Sequence, residues 1–353
     1  MPLAAEEESL LAIAKTICRT VIEPRAEEVD RSGTVPRENL KALADAGLVR
    51  ALVENPALRG PFTEELCAAC GTTYFTLTQH LGSAERILRN GSPALQKLLP
   101  DFLDGRAWVG VGFGHLRRPQ RMLSATPVPG GWTLSGVAPW VTGWPILKGT
   151  IYGAWLPDGR HVYLYAEASV SDAQRPSAPL PLCAMGATET VEVTLNDLFV
   201  PEENFLFHSS REELMRGDEA NLAGNVAPML GVATGSVRAL RAIAAKKPIP
   251  AITDAADALT EQIDACRERC SHLSRADKNE PGWKEAALDA RTGAIELGIR
   301  AAGCAVAAAS GGANSLDHPA QRRFREAMFY SLFQQTSDIL RATVTRLARS
   351  QCS

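Results

Sequence analysis

The spacing of apolar residues changes twice along this chain, and that change limits the folds it can adopt. From about residue 6 to residue 105 they recur with helical spacing, as at Leu10, Ile13 and Ile17. From about residue 106 to residue 205, short β-branched and aromatic runs alternate with Gly- and Pro-rich turns, which predicts strands. After residue 206 the pattern is helical again.

The sequence therefore predicts an α+β fold with three domains. We expect an N-terminal helical domain over residues 1–105, a middle antiparallel β-barrel or sandwich over 106–205, and a C-terminal four-helix bundle over 206–353. The bundle is predicted from four alanine-rich periodic segments with short polar breaks between them. These segments lie at 223–245, 253–273, 283–310 and 320–348. The motif LPDGRHV, at 156–162, predicts a hairpin.

Composition and charge exclude several classes of function. The chain has 353 residues and a net charge of −3, and it has no long basic tract, so no nucleic-acid partner is expected. Charges or Gly-Pro steps interrupt its apolar runs before a membrane span would be complete. The N-terminus is acidic and lacks the basic start of a signal peptide, which predicts a cytoplasmic protein.

The cysteines are better explained as small buried apolar residues than as metal ligands. Cys67 and Cys70 form a lone CxxC, and Cys266 and Cys270 share one face of a predicted helix. Thiolates suit zinc, but no histidine lies at ligand spacing from either pair, so no metal is expected. The eight cysteines are Cys18, Cys67, Cys70, Cys183, Cys266, Cys270, Cys304 and Cys352.

Four phrases, in this order along the chain, point to a known family. They are IEPRAEEVDRSGTVPRENLKALADAGL at 22–48, SPALQKLLPDFLDGR at 92–106, WTLSGVAPWVTGW at 132–144 and MGATETVEVTLNDLFVPEEN at 185–204. The step VPEEN, at 200–204, is among the more specific. Over nearly its whole length the chain resembles the acyl-CoA dehydrogenase superfamily, in which a flavin lies between the β domain and the bundle of a homo-oligomer.

This resemblance implies a flavin site. Trp140 and Thr142 match the family's Trp-x-Thr, in which the indole covers one flavin face and the hydroxyl donates to the redox-active nitrogen. From the residues alone, the two would be alternate positions of a half-buried strand. The resemblance assigns to the cofactor Trp140, Thr142, Thr336, Ser337, Gly311 and Gly312. The implied cofactor is FAD; FMN, or reduced flavin supplied by a separate reductase, is the alternative.

The same resemblance raises a question about the catalytic base. In YSLFQQTSDIL, at 330–340, Phe333 takes the family's aromatic position and Gln334 takes that of the glutamate that removes the substrate's α-proton. An uncharged amide cannot accept that proton. Glu219 is a possible displaced base, and Asn221 and Leu222 are placed at the family's substrate-binding positions.

Other positions also depart from the family. His115, Arg117 and Arg118 replace its usual phrase after the first strand and are typical of a solvated loop. The alternatives are that His115 hydrogen-bonds a ligand and that the arginines face a phosphate or carboxylate. The loop that normally grips the neighbouring subunit's FAD pyrophosphate is short and offers Lys246 and Lys247 instead. Asp218 and Asp338 are further carboxylates near the predicted site.

Three functions are compatible with these residues. The first is a flavin-dependent oxidoreductase of an acyl thioester, carried on CoA or an acyl-carrier protein. The second is a flavin-dependent monooxygenase or oxidase, which needs no carboxylate at position 334. The third is a non-catalytic scaffold. A homodimer or homotetramer is expected, or a hetero-oligomer with an active paralogue, because the family's flavin site is shared between subunits.

Overall fold

A computed structural model describes residues 5–349 and begins with helices packed around an apolar core. In chain order, helices α1 to α8 span Ala5–Ile17, Ala26–Ser32, Arg37–Asp45, Leu48–Glu54, Arg59–Ala69, Gly71–Asn90, Pro93–Gln96 and Leu99–Leu103. Helix α6 is the longest of them and runs along the sheet that follows, where it contacts the first strand. It thereby joins the N-terminal helices to the β region.

The β region is one eight-stranded sheet. Strands β1 to β8 span Trp108–Gly112, Leu123–Val128, Gly131–Val141, Leu147–Trp155, His161–Glu167, Gln174–Pro176, Val191–Pro201 and Phe205–Ser209. The hydrogen-bonded order is β6-β7-β3-β2-β4-β5-β8, with β1 paired to β4. The predicted hairpin is confirmed, since β4 and β5 pair antiparallel on either side of Leu156–Arg160.

The prediction of a purely antiparallel sheet is wrong in one respect. β1 runs parallel to β4, and β2 makes a short parallel pairing with β4, so the sheet is mixed. No hairpin joins β1 to β4, because β2 and β3 intervene, and a parallel pairing is therefore sterically available. Strands β2, β6 and β8 were not predicted, and two of them contain a proline, which weakens a strand pattern.

The C-terminal region is helical. Helices α9 to α14 span Arg211–Ala220, Ala227–Lys246, Pro250–Arg275, Trp283–Ala309, Pro319–Leu332 and Ser337–Ala348. Three of the four predicted bundle helices correspond to α10, α11 and α12. The fourth, predicted as one helix over 320–348, is wrong, because the chain breaks into α13 and α14.

Helix α12 contradicts the expectation that every apolar run is too short to span a membrane. Trp283–Asn314 is long and apolar enough by length and composition, and half of the apolar window is buried inside the protein. The core helix of a bundle has the same properties. Here α12 packs against α10, α11, α13 and α14.

A buried charged cluster fixes α13 to the N-terminal helices. Arg322 Nη1 donates to Glu326 Oε1 at 2.7 Å, and both side chains are almost completely buried. The same oxygen accepts the backbone N–H of Gly71 at 3.0 Å, at the start of α6. Arg322 Nε also reaches Glu27 Oε1 at 3.2 Å. The charges therefore tie α2, α6 and α13 together.

His80 links α6 to the sheet and makes stability depend on pH. Val109 N–H donates to His80 Nδ1 at 3.0 Å, so Nε2 carries the proton and donates to Phe102 O at 2.9 Å. Burial lowers the pKa of His80 from 6.5 to about 4. As the pH falls below 6.5, His80 becomes protonated in the unfolded chain before it does so in the folded protein. The unfolding free energy that His80 contributes above pH 6.5 is therefore lost as the pH falls towards 4.

We expect His80 to remove up to about 3 kcal/mol of unfolding free energy across this pH range. Urea unfolding at pH 7.5, 6 and 5 measures the loss. Burial also lowers the pKa of His115 to about 4, so His115 adds to the same trend. In a His80→Gln variant the slope should be smaller by about 1.4 kcal/mol per pH unit near pH 5. Equal slopes in the two proteins would contradict the assignment to His80.

Candidate functional site

A deep cleft lies where α6, the sheet and the break between α13 and α14 meet. Its volume is about 980 Å³. Six residues predicted from the sequence line it, in two groups from distant parts of the chain. They are Trp140, Thr142, Phe333, Gln334, Thr336 and Ser337. The fold thus brings the predicted Trp-x-Thr segment and the predicted base segment to one cavity.

The break between α13 and α14 forms one wall of the cleft. Gln334 has a left-handed φ of 53°, which a continuing helix cannot contain. Thr336 then starts the next helix as its N-cap, and its side chain accepts from Ile339 N–H at 3.4 Å. A Thr-Ser-Asp step is a start signal for a helix, and this signal outweighs the continuous apolar pattern that predicted a single helix.

A buried arginine holds this break in place from behind. Arg291, on α12, donates from Nη2 to the carbonyl oxygen of Phe333 at 3.1 Å. Its Nε and Nη1 find no hydrogen-bond partner within residues 5–349, and burial lowers the pKa of Arg291 to about 10. A buried charge without a carboxylate is costly, so the carbonyl of Phe333 is its main compensation.

Trp140 and Thr142 lie at the end of β3. Trp140 has a φ of 64° and is 50% exposed, so its ring is available to a ligand. Thr142 is buried, and its hydroxyl lies 2.9 Å from that of Thr190. Thr190 lies 2.7 Å from the hydroxyl of Thr188, which donates to Met185 O at 2.7 Å.

In this chain of hydroxyl groups, the direction of hydrogen-bond donation is fixed at every step. A carbonyl can only accept, so Thr188 gives its single proton to Met185. Thr190 must then donate to Thr188, and Thr142 must donate to Thr190. Thr142 is therefore left with lone pairs to offer to a ligand, whereas the family resemblance assigns it a donated proton.

Aromatic rings form the apolar part of the cleft. The ring centroid of Phe75, on α6, lies 4.6 Å from the ring centroid of Phe329 and 5.7 Å from that of Phe333. Met328 and Leu332 line the same part of the cavity. Such a wall suits an apolar acyl group or an aromatic ring system, because it removes their surfaces from water.

The structure does not bring the predicted displaced base into the cleft. Glu219 is exposed on α9, and its Oε1 pairs with Lys284 Nζ at 3.2 Å. The same ammonium group lies 3.5 Å from Asp338 Oδ2. Neither carboxylate is among the described residues that line the cavity.

Other predicted residues also lie outside the cleft. Asn221 is exposed at the end of α9, where its side chain donates to Gly217 O at 2.9 Å, and Leu222 is buried in the core. The resemblance placed them at substrate-binding positions, but residues 221–226 form a turn before α10. The residues of this region that line the cavity are Gly224, Asn225, Ala227 and Pro228.

The predicted glycines and lysines are exposed and lie elsewhere. Gly311 and Gly312 form a short 3₁₀ turn, Ser310–Asn314, after α12, and a Cβ at Gly311 would meet no atom within 4 Å. Lys246 and Lys247 end α10. These four residues contribute nothing to the cavity of a single chain, and their assignment to a flavin stays a prediction.

One histidine and two arginines of the cleft were missed or misjudged from the sequence. His115 is buried rather than solvated, and neither ring nitrogen reaches a hydrogen-bond partner in the described part of the chain. Arg117 is partly buried and grips Asp218 with two bonds, of 2.7 and 2.8 Å. Arg86, on α6, lies over the ring of Phe113 at 4.7 Å.

A signal for Arg86 was present in the sequence. Residues 75, 79, 82 and 86 share one face of α6, and all four line the cleft. An arginine that continues an inward-facing stripe beginning at Phe75 points to a ligand or a buried partner. His115 and Asp218 carried no comparable signal, because their burial depends on contacts between distant segments.

No metal centre is found within the described residues. None of their histidine, cysteine and acidic side chains form a group of three or more that could hold a metal ion. Cys67 and Cys70 are buried free thiols, whereas Cys183 is exposed. Cys352 lies outside the described residues.

Comparisons with known proteins agree with the fold. Residues 4–106 match the sequence model described as acyl-CoA dehydrogenase, N-terminal domain. The chain is 24% identical over 391 residues to cyclohexane-1-carbonyl-CoA dehydrogenase of Syntrophus aciditrophicus (strain SB), with all of both chains covered.

Solved structures share the fold at low identity. Butyryl-CoA dehydrogenase of Megasphaera elsdenii has a TM-score of 0.81 at 18% identity, with 99% of this chain and 100% of that chain covered. A glutaryl-CoA dehydrogenase of Mycobacterium smegmatis in complex with FADH2 has a TM-score of 0.82 at 18% identity, with coverages of 99% and 96%. These comparisons show that residues 4–106 match an acyl-CoA dehydrogenase N-terminal domain and that the whole chain has the fold of acyl-CoA dehydrogenases.

Proposed function

We propose that this protein binds a flavin in the cleft and acts as an oxidoreductase on an acyl thioester, without a carboxylate at position 334. The observation that carries the proposal is the meeting of Trp140 and Thr142 with the loop of Phe333 and Gln334 in one cavity. FAD is the proposed cofactor, with FMN or reduced flavin from a reductase as the alternative.

The residues present fit a flavin. The half-exposed indole of Trp140 offers an aromatic face, and Thr142, two residues further along the chain, offers a polar atom in the same cavity lining. When bound, the flavin supplies hydride or oxygen chemistry that no side chain can supply. Trp140 and Thr142 would hold it, and Thr336 and Ser337 line the same cavity.

The remaining cleft residues bind and orient the substrate. Phe75, Phe329 and Phe333 exclude water from an acyl chain. The amide of Gln334 can donate a hydrogen bond to a thioester carbonyl, but it cannot remove a proton. Asp218 is the single carboxylate among the described residues of the lining, and Arg117 holds it with two bonds.

A monooxygenase or oxidase is the second candidate. The observation that favours it is that the cleft offers no free carboxylate, because Asp218 is paired with Arg117. Flavin reactions with oxygen require a dry, shaped pocket rather than a base at position 334. A scaffold, or the partner subunit of an active paralogue, is the remaining alternative.

The proposed assembly is a homodimer or homotetramer in the cytoplasm. Gly311, Gly312, Lys246 and Lys247 are exposed and lie away from this chain's own cleft. Residues in such positions are suited to contact the cofactor of a neighbouring subunit, as the family resemblance implies for the Lys246–Lys247 loop.

A visible absorption spectrum tests the proposal. The purified protein is measured alone and after incubation with FAD and then FMN, followed by desalting. A retained flavin band supports the proposal, and anaerobic titration with acyl-CoAs then separates a dehydrogenase from an oxygenase. A protein that retains neither flavin, and does not bind reduced FMN under anaerobic conditions, would support the scaffold alternative.

The hydrogen bonds that run from Thr142 through Thr190 to Thr188 also predict which redox state of a bound flavin is favoured. Oxidised flavin offers an acceptor nitrogen and reduced flavin offers N–H, so lone pairs on Thr142 favour the reduced form. A Thr190→Val variant frees the proton of Thr142. We expect it to lower the preference for reduced flavin about tenfold, which corresponds to a midpoint potential about 30 mV lower.

Spectroelectrochemical titration of the bound flavin measures this shift. Thr190→Ser is the matched control, because it keeps the hydroxyl group and should keep the potential of the unmodified protein. A potential that stays the same in Thr190→Val would show that the proton of Thr142 does not control the flavin.

A further inference from the structure

Two cysteines on α11 lie outside the lining of the cleft and have no part in the proposed function. Cys266 and Cys270 are four residues apart, so their side chains lie on the same face of the helix, one turn from each other. Both are free thiols; Cys270 is buried and Cys266 is partly exposed. A small molecule can therefore reach one thiol of the pair from solvent, while the protein encloses the other.

The two thiols are hydrogen-bonded to each other. When Cys266 is ionised, the S–H of Cys270 donates to its sulfur, and this bond is the main cause that lowers the pKa of Cys266. The same bond, together with burial, raises the pKa of Cys270, because Cys270 has to keep its proton in order to donate it. The pair therefore carries its first negative charge on the thiol that solvent can reach.

Four arginines from three helices also favour a negative charge on the pair. They are Arg267 and Arg269 on α11, Arg291 on α12 and Arg346 on α14. Carboxylates neutralise three of them: Glu64 and Asp264 pair with Arg267, Asp289 pairs with both Arg269 and Arg346, and Glu296 pairs with Arg346. Their effect on Cys266 is therefore smaller than that of the bond between the thiols.

Arg291 gives an independent sign that negative charge is favoured on this side of α11. It is 2% exposed, and its Nε and Nη1 find no hydrogen-bond partner in the part of the chain that the structure describes. Burial lowers the pKa of Arg291, and a negative charge on Cys270 would act in the opposite direction. Because a buried cation without a carboxylate is costly, a negative sulfur in the pair would partly compensate it.

Helix geometry prevents a disulfide from closing within the pair. Side chains four residues apart on a helix have Cβ atoms about 5–6 Å apart, whereas a disulfide needs about 3.5–4.5 Å. Helix α11 continues without interruption from Pro250 to Arg275, so the spacing at 266–270 is the regular one. Oxidation of Cys266 therefore stops before a bond to Cys270 forms, as long as the helix stays intact.

We propose that Cys266 is a site of reversible oxidation by hydrogen peroxide, and that Cys270 is the positioning residue that keeps it reactive. The thiolate of Cys266 attacks one peroxide oxygen, so that an S–O bond forms and the O–O bond breaks. The sulfur loses two electrons, the peroxide gains them, and the hydroxide that leaves takes a proton from solvent to become water. The product is a sulfenic acid, which an added thiol reduces. No flavin or thioester takes part, so the site is independent of the proposed function.

Other cysteines of the chain provide internal references. Burial raises the pKa of the thiols of Cys18, Cys67 and Cys70, so we expect these three to stay reduced. Cys183 is exposed, and it therefore measures how fast an accessible thiol of this protein reacts. If exposure alone decided the rate, Cys183 would be oxidised before Cys266.

Trapping of sulfenic acid with dimedone tests the site in the full chain without added flavin. The protein is treated with limiting hydrogen peroxide at pH 7, and mass spectrometry measures the initial rate of labelling at each cysteine. We expect Cys266 to be labelled about tenfold faster than Cys183, and pretreatment with dithiothreitol after oxidation to remove the label. A rate at Cys266 no higher than that at Cys183, or a disulfide between Cys266 and Cys270, would overturn the proposal.

Two substitutions at position 270 test the role of Cys270. Cys270→Val removes the S–H donor and keeps an apolar side chain of similar size, whereas Cys270→Ser keeps a donor. We expect Cys270→Val to slow the labelling of Cys266 about tenfold, because a hydrogen bond to a charged group is lost, and to leave Cys183 within about twofold. Cys270→Ser should stay within about threefold of the unmodified protein. Equal rates at Cys266 in the two variants would overturn the role of Cys270, and the comparison of Cys266 with Cys183 needs no variant to fold.

Discussion

A Gln334→Glu variant is expected to dehydrogenate acyl-CoA substrates 10² to 10⁴ times faster than the unmodified protein, on the order of what a positioned general base contributes. Residue 334 lines the cleft beside Phe333, and no free carboxylate among the described residues competes for the substrate's proton. The rate is measured as anaerobic bleaching of the flavin band after mixing with a series of acyl-CoAs.

Gln335→Glu is the matched control for this variant. Gln335 also lines the cleft, so the substitution adds the same charge one position further along the chain. It should give little activity, because the side chain starts from a different point of the loop. A Gln334→Glu protein that binds flavin and stays inert with all thioesters would contradict the view that only the base is missing.

Removal of the buried carboxylate of Glu326 is expected to cost about 3 to 5 kcal/mol of unfolding free energy. A Glu326→Ala variant leaves Arg322 buried with only the more distant Glu27, and it also removes the acceptor of the Gly71 N–H. The loss is measured from the midpoint of urea unfolding, with the slope of the transition checked for constancy.

An exposed pair of the same spacing provides the comparison. Lys41 and Asp45 pair at 2.6 Å on α3, also four residues apart, with both side chains largely exposed. Asp45→Asn should cost less than about 1 kcal/mol, because water screens this pair. Similar losses for Glu326→Ala and Asp45→Asn would show that burial of the Arg322–Glu326 pair adds nothing.

The order and type of the elements could be predicted because they depend on local patterns. Apolar spacing gives the helices and most strands directly, and the PDG step gave the hairpin before His161. The parallel pairing of β1 with β4 could not be predicted, since it depends on which distant strands meet. The break after Leu332 was missed because the apolar stripe continues across it.

For the site, the sequence correctly brought together the Trp-x-Thr segment and the segment after α13, but it misplaced other residues. Trp140 and Gln334 reach the same cavity, as their motifs predict. Asn221 and Leu222 do not, because an unexpected turn at 221–226 changes the direction in which they point. His115 is buried by segments far away in sequence, and no pattern around it records that burial.

The hydrogen bond from Arg291 to the carbonyl of Phe333 has a consequence for the history of the protein. A backbone carbonyl is the same in every residue type, so this anchor does not depend on the side chains that follow it. Residues 334 and 335 can therefore be exchanged while the wall of the cavity stays in place, provided that the residue at 334 tolerates the left-handed backbone there. Ancestors of this chain could have lost or gained a reaction by one substitution, and protein engineers have the same position available for installing a new one.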